Sequence, residues 1–64
     1  MKFLIENMTC GSCVRHITSG VRALDPGATV EADIPARTIT VHTVTDRRQV
    51  EKAIADEGYV ARPI

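Results

Sequence analysis

Apolar residues near the start of the chain predict a short strand followed by a loop. Phe3, Leu4 and Ile5 form an apolar run that is typical of a β-strand over roughly residues 2–6. Residues 7–12, with the sequence Asn-Met-Thr-Cys-Gly-Ser, contain the small and polar residue types that interrupt regular structure. We therefore expect the first strand to lead into a loop that carries a cysteine.

An amphipathic helix is predicted after this loop. Ser12 is a suitable N-cap for a helix that begins near Cys13. The segment Asp25-Pro26-Gly27 ends the helix, because Pro cannot continue it and Gly tolerates a left-handed backbone. The apolar positions of this helix recur at helical spacing and form one stripe: Val14, Ile17, Val21 and Leu24.

Strict alternation of apolar and polar residues predicts two further strands. The alternation covers residues 28–34 and residues 38–42. The short segment Pro35-Ala36-Arg37 between them is suited to a turn. Since the two strands are joined by so short a connection, we expect them to form an antiparallel hairpin.

A second helix and a last strand complete the chain. Thr45 or Asp46 caps the helix, and Gln49 stands where a capping box places its second partner. Gly58 lies where a glycine commonly ends a helix. Residues 59–64 predict a strand, which Pro63 confines to an edge or an end of the sheet. The buried face of the helix consists of Val50, Ala53 and Ile54.

The predicted order is β-α-β-β-α-β, which defines an α+β fold of the ferredoxin-like type. Four strands would form one antiparallel sheet, and both helices would cover the same face of it. The chain has 64 residues, so we expect one domain over residues 1–64.

Composition and charge exclude several classes of function. The chain has eight basic and eight acidic residues, and its aromatic residues are Phe3 and Tyr59 alone. A nucleic-acid binder would carry a basic patch or a set of stacking aromatics. This chain has neither feature, so we expect that it does not bind nucleic acid. No apolar segment is long enough for a signal peptide or a membrane span. We therefore expect no membrane insertion and a cytoplasmic protein with reduced thiols.

Two cysteines, Cys10 and Cys13, are the candidate chemical groups of the chain. A disulfide between them would close a very short loop and would constrain the unfolded chain little, so a structural staple is disfavoured. Cys13 falls near the first turn of the predicted helix, where free backbone N–H groups and the helix dipole favour a thiolate. A pair of thiolates suits Cu(I) or a similarly soft ion, whereas Zn(II) normally takes four ligands. Thiol redox chemistry is the competing interpretation.

The loop Met8-Thr9-Cys10-Gly11-Ser12-Cys13 resembles the M-T-C-x-x-C loop of heavy-metal-associated domains, most closely that of soluble bacterial copper chaperones. The resemblance covers nearly the whole chain and includes the pair Gly58-Tyr59. It implies that Cys10 and Cys13 hold one Cu(I) and pass it by thiolate exchange to the metal-binding domain of a copper-transporting P-type ATPase. Such a protein delivers a metal and is not an enzyme. The family often has Gly where this chain has Asn7, and Asn is the next most tolerant residue at positive φ.

Three further residues are candidates for supporting roles around the cysteines. Met8 has a thioether that suits Cu(I), but its expected role is to pack beneath the loop. His16 follows Cys13 by three residues and could be a third ligand or a solvated helix residue. The resemblance places Tyr59 beside the cysteines, where its ring would screen the metal. His42 lies on the third strand and is expected to be a surface residue.

The charge pattern suggests the kind of partner. The first helix carries Arg15 and Arg22 and no acidic residue, so it would attract an acidic partner surface to the metal loop. Two chains with exposed cysteines could also share copper, which implies a metal-bridged homodimer. Three alternatives remain open: a mercury or other soft-metal carrier of the same fold, a thiol-redox protein, and a metal-sensing domain of a larger transporter.

Overall fold

The computed structural model describes residues 1–64. The segments with alternating apolar residues belong to a four-stranded antiparallel sheet. The strands lie in the order β2-β3-β1-β4, and two helices pack on the sheet. The predicted ferredoxin-like α+β fold is confirmed. The elements are β1 (Lys2–Leu4), α1 (Gly11–Leu24), β2 (Thr29–Asp33), β3 (Thr38–His42), α2 (Arg47–Asp56) and β4 (Arg62–Pro63).

The hydrophobic core lies between the sheet and the helices and contains no buried polar side chain. Two of the four predicted stripe residues of α1 are fully buried, while Leu24 at its end is 39% exposed. The buried part of the stripe is therefore shorter than predicted. Burying such a set of apolar side chains is the main stabilising contribution to a domain of this size. The ten buried residues are Phe3, Ile5, Met8, Ile17, Val21, Ala28, Ile39, Val41, Val50 and Ile54.

The first and last strands are shorter than predicted. β1 ends at Leu4, because Ile5 enters a turn that the Met8 N–H closes onto the Ile5 carbonyl at 3.1 Å. Ile5 nevertheless stays fully buried. β4 has two residues instead of six, and its Pro63 pairs with Phe3 on an edge strand, as predicted for a residue without an N–H.

The prediction for the start of α1 is wrong. The helix begins at Gly11 and its N-cap is Cys10, so Ser12 already lies inside the first turn. At α2, Asp46 is the N-cap as predicted, and its side chain accepts a hydrogen bond from the backbone N–H of Arg48. Gln49 donates only its backbone N–H to the Asp46 carbonyl, so the reciprocal bond of a capping box is not formed.

The two helices end differently. Gly58 follows α2 at a φ of +93°, and the Gly58 and Tyr59 N–H groups return to the carbonyls of Ala55 and Ile54, which is a Schellman motif. Gly27, after α1, does not adopt a positive φ; its N–H instead donates to the Asp25 carboxylate at 3.0 Å. The predicted left-handed exit is therefore found at Gly58 and not at Gly27.

Candidate metal site

The two cysteine sulfurs lie at the start of α1 and close to each other. The Cys10 and Cys13 Sγ atoms are 3.2 Å apart, and both residues are free thiols. This separation is longer than the S–S bond of a disulfide, which is about 2.05 Å. Cys10 is exposed at the N-cap, and Cys13 is half-buried in the first turn of the helix. The sequence predicted this pair, and the structure brings both sulfurs to one surface.

The surroundings of Cys13 favour its thiolate. A hydrogen bond from the Tyr59 hydroxyl, followed by those from the Thr9 backbone and the Cys10 side chain, lowers the pKa of Cys13 from 9.0 to about 6. Partial burial of the sulfur opposes this change. Near neutral pH the site therefore presents a charged sulfur, which is the form that binds a soft metal ion.

Tyr59 reaches the site from the loop after α2. It is half-buried and packs against the core. Its hydrogen bond to Cys13, together with partial burial, raises the pKa of Tyr59 to about 12, so the phenol stays protonated and continues to donate. The structure thus places Tyr59 beside the cysteines.

Met8 and His16 occupy opposite environments. Met8 is fully buried and belongs to the hydrophobic core beneath the cysteine loop. His16 is exposed on α1. The structure assembles no group of three or more His, Cys, Asp or Glu side chains able to hold a metal ion, so Cys10, Cys13 and His16 do not form a three-ligand set. His42 is exposed at the end of β3.

The sequence did not reveal two other contributors to this region. The Thr9 backbone lowers the pKa of Cys13, which depends on the path of the loop and not on the threonine side chain. Asn7 does not have a positive φ. Its side-chain amide instead donates to the Gly58 carbonyl at 3.3 Å, a contact between residues 51 positions apart. The departure from Gly at position 7 was the available signal, but its partner was not visible.

The surface around the site is basic on α1. A shallow depression runs along this helix from Val14 to Ala23, and α1 contains no acidic residue. Neither helix of the structure combines the length and the apolar character that crossing a membrane requires. The depression is lined by Val14, Arg15, Thr18, Ser19, Arg22 and Ala23.

Several solved structures have the same fold over almost their whole length. A structure described as a gold binding protein is 34% identical, with 97% of this chain and 95% of that chain covered and a TM-score of 0.92. A variant of the copper chaperone Atx1 from Synechocystis, in a trimeric Cu1 form, is 26% identical, with coverage of 97% and 98% and a TM-score of 0.94. A CopZ metallochaperone is 25% identical, with coverage of 95% and 96% and a TM-score of 0.84.

The family is also recognisable at the level of sequence. No curated protein sequence matches the chain significantly. Residues 2–60, however, match the heavy-metal-associated domain, and this range includes the cysteine loop, both helices and Tyr59. The chain therefore belongs to the heavy-metal-associated domain family.

Proposed function

We propose that this protein is a metallochaperone that carries one Cu(I) ion between the sulfurs of Cys10 and Cys13. The observation that carries the proposal is the pair of surface sulfurs 3.2 Å apart, one of which has a pKa lowered to about 6. Family membership and the copper chaperones among the similar structures support it. The metal is the cargo of the protein, so we propose delivery and no enzymatic reaction.

The donor set favours Cu(I) over harder ions. Two thiolates without further nearby ligands suit a soft ion that tolerates low coordination, whereas structural zinc sites almost always have four ligands. The gold binding protein among the similar structures supports a second candidate, a carrier for another soft ion such as gold or mercury. Competition between Cu(I) and these ions for the purified protein distinguishes the two.

We propose that the ion leaves by ligand exchange. A thiolate of the partner forms a bond to Cu(I), one of the bonds from Cys10 or Cys13 then breaks, and a second exchange completes the transfer. Copper stays in the +1 state throughout, so no electron donor or acceptor is needed. Exposed Cys10 is the sulfur that an incoming thiolate can approach from solvent, while Cys13 is retained by its contacts with Tyr59.

The neighbouring side chains have supporting roles in this proposal. Met8 is a packing residue, because a fully buried thioether in the core is not available to a surface ion. Tyr59 donates to Cys13 and shields the ion from water on that side. His16 stays a solvated residue in the monomer and would become an auxiliary ligand only if copper bridged two chains.

The proposed partner is the metal-binding domain of a copper-transporting P-type ATPase in the cytoplasm. Arg15 in the first half of α1 and Arg22 in its last turn would attract an acidic partner surface to this helix and raise the rate of encounter. Replacing both by Glu should slow copper transfer at low salt by about tenfold or more and leave Cu(I) affinity nearly unchanged. The matched control replaces Arg47 and Arg48 on α2 by Glu, which changes the net charge equally. Equal transfer rates for both variants would reject the proposed surface.

The test of copper binding is a Cu(I) titration against a competing chelator. Wild type should retain one equivalent of copper at chelator concentrations that strip both Cys10→Ser and Cys13→Ser. Ser12→Ala is the control, because Ser12 lies between the cysteines without making a cap. A Cu(I) affinity that both cysteine variants share with wild type would refute the proposal.

A further inference from the structure

Asn7 connects the two loops that surround the cysteines. Its Nδ2 donates to the Gly58 carbonyl at 3.3 Å. This is the only N–H···O hydrogen bond between the turn before the cysteine loop and the loop after α2. The first of these loops leads to Cys10 and Cys13, and the second carries Tyr59. Besides this amide, the two loops are linked by the Tyr59 hydroxyl at Cys13, by packing, and by the pairing of the neighbouring strands β1 and β4.

The turn that holds Asn7 is fixed on its own side. The Met8 N–H closes the turn onto the Ile5 carbonyl at 3.1 Å, and Met8 is fully buried. The Arg37 guanidinium donates to the Glu6 carbonyl at 3.0 Å from the β2–β3 turn. Because hydrogen bonds hold the residues on both sides of Asn7, the backbone at Asn7 is fixed. The Asn7 side chain therefore starts from a defined position.

The acceptor of the bond is fixed as well. Gly58 has a φ of +93°, and its N–H donates to the Ala55 carbonyl at 2.9 Å. The Tyr59 N–H donates to the Ile54 carbonyl at 3.3 Å. These bonds orient the peptide between Gly58 and Tyr59 so that its carbonyl faces Asn7. The bond from Asn7 thus acts on the peptide that carries the tyrosine.

We propose that Asn7 is a positioning residue, which holds the Gly58–Tyr59 peptide against the cysteine loop and so keeps the Tyr59 hydroxyl beside the Cys13 sulfur. The inference rests on the proposed function for its consequence, the retention of Cu(I), but its structural part concerns the metal-free protein. Without the amide, Tyr59 moves away from the sulfur more often, water reaches the site, and a bound ion is released faster.

The hydrogen bond itself is measured in the wild-type protein. The chain contains two side-chain amides, Asn7 and Gln49, so their NMR signals are assigned without ambiguity. We expect a scalar coupling from Asn7 Nδ2 to the Gly58 carbonyl carbon across the hydrogen bond. We also expect slower exchange of the Asn7 amide protons with water than of those of exposed Gln49. Absence of the coupling together with equal exchange rates would overturn the proposal.

Substitutions test whether the bond positions the tyrosine. Tyr59 is the only tyrosine and the chain has no tryptophan, so intrinsic fluorescence reports on this ring alone. Asn7→Ala removes the donor, and Asn7→Asp keeps the shape but has no N–H to donate. Because an exposed hydrogen bond is weak, both should raise acrylamide quenching of Tyr59 by about twofold. Glu6→Gln is the matched control, since Glu6 is the adjacent exposed residue and the substitution keeps its size while removing the charge that pairs with Arg62 at 3.7 Å.

The fluorescence result distinguishes a specific effect of the Asn7 bond on Tyr59 from a general loosening of the structure by any substitution in this turn. Increased quenching in both Asn7 variants, with wild-type quenching in Glu6→Gln, supports the proposal. Unchanged quenching in the Asn7 variants, or the same increase in the control, would overturn it. A folded state identical to wild type by circular dichroism is required of all three variants, and the wild-type coupling tests the bond if any variant fails to fold.

The copper experiment then separates this proposal from the proposed function. Release of Cu(I) from Asn7→Ala to an excess of chelator should be about threefold faster than from wild type or Glu6→Gln, as expected for the loss of one exposed hydrogen bond. If wild type binds no Cu(I) but the coupling and quenching results hold, the proposed function fails and the positioning role remains. If wild type binds Cu(I) and the release rates are equal, the positioning role in metal retention fails alone.

Discussion

The two helices begin in different ways, although each has a capping residue type at or near its start. At α2, the Asp46 carboxylate accepts the Arg48 N–H at 3.1 Å. At α1, the N-cap is Cys10, which makes no side-chain cap hydrogen bond, while Ser12 lies inside the helix. A Ser, Thr, Asp or Asn cap contributes about 1 kcal/mol to the free energy of unfolding. The start of α1 lacks this contribution.

The difference shows that α1 lacks a stabilising cap at the position where it carries a reactive thiol. At α2 the cap carboxylate satisfies a helix N–H group. At α1 the corresponding place is held by a thiol, and the backbone of Thr9 and Cys10 instead acts on the Cys13 sulfur. The positive end of a helix dipole adds to this preference for a negative sulfur. One helix start stabilises the fold, and the other presents a thiolate at the surface.

The largest expected effect comes from removing the Tyr59 hydroxyl. In Tyr59→Phe the pKa of Cys13 should rise from about 6 towards its ordinary 9.0, because the largest cause of its lowering is lost. At neutral pH the thiolate fraction falls, and alkylation of Cys13 by iodoacetamide slows accordingly. The measurement is the pH profile of Cys13 alkylation, followed by peptide mass spectrometry. An unshifted profile would show that the helix start alone sets the thiolate.

The same thiolate makes stability depend on pH. The pKa of Cys13 is lower in the folded chain than its ordinary 9.0, so its contribution is fully present above pH 9 and is lost as the pH falls through about 6. The melting temperature of the metal-free protein should therefore decrease from pH 9 to pH 6. Cys13→Ser is the control, and the same decrease in that variant would assign the effect to other groups.

The two helix ends provide the next effect. Gly58→Ala puts a Cβ on a residue at a φ of +93° and should cost about 1–2 kcal/mol in the free energy of unfolding. Gly27→Ala is the matched control, since Gly27 has no positive φ and a Cβ there would meet only the Asp25 carboxylate at 3.5 Å. Denaturant unfolding of both variants measures the difference. Equal costs would contradict the assignment of the left-handed exit to Gly58.

The smallest effects compare the two helix starts directly. Asp46→Ala should lower the free energy of unfolding by about 1 kcal/mol, because it removes the cap of α2. Cys10→Ser should raise it by roughly 0.5 kcal/mol, because a serine at that position can cap α1. Ser12→Ala is the control and should change it little. A loss of stability in Cys10→Ser would indicate that the sulfur already fulfils the capping role.

The sequence was sufficient for the topology and for the cysteine pair. Alternation in residues 28–34 and 38–42 and the apolar stripe of α1 identify elements by their own periodicity, which needs no tertiary information. Their spacing alone places Cys10 and Cys13 close together at the start of α1. These features are local, and local patterns are what a sequence displays.

The features that the sequence did not predict depend on the path of a loop or on contacts between distant segments. Ser12 and Cys10 are equally close to the helix start, and only the path of the loop decides which one becomes the N-cap. Ile5 leaves the strand because of a turn, yet it remains in the core through tertiary packing. The bond from Asn7 to Gly58 joins residues 51 positions apart, so no local pattern predicts it.

The most direct test of the account is X-ray absorption at the copper edge on the Cu(I)-loaded wild-type protein. The account predicts an inner sphere that contains sulfur, contributed by Cys10 and Cys13, and the loss of that signal in the double variant Cys10→Ser, Cys13→Ser. An inner sphere of nitrogen and oxygen alone in the wild-type protein would contradict it.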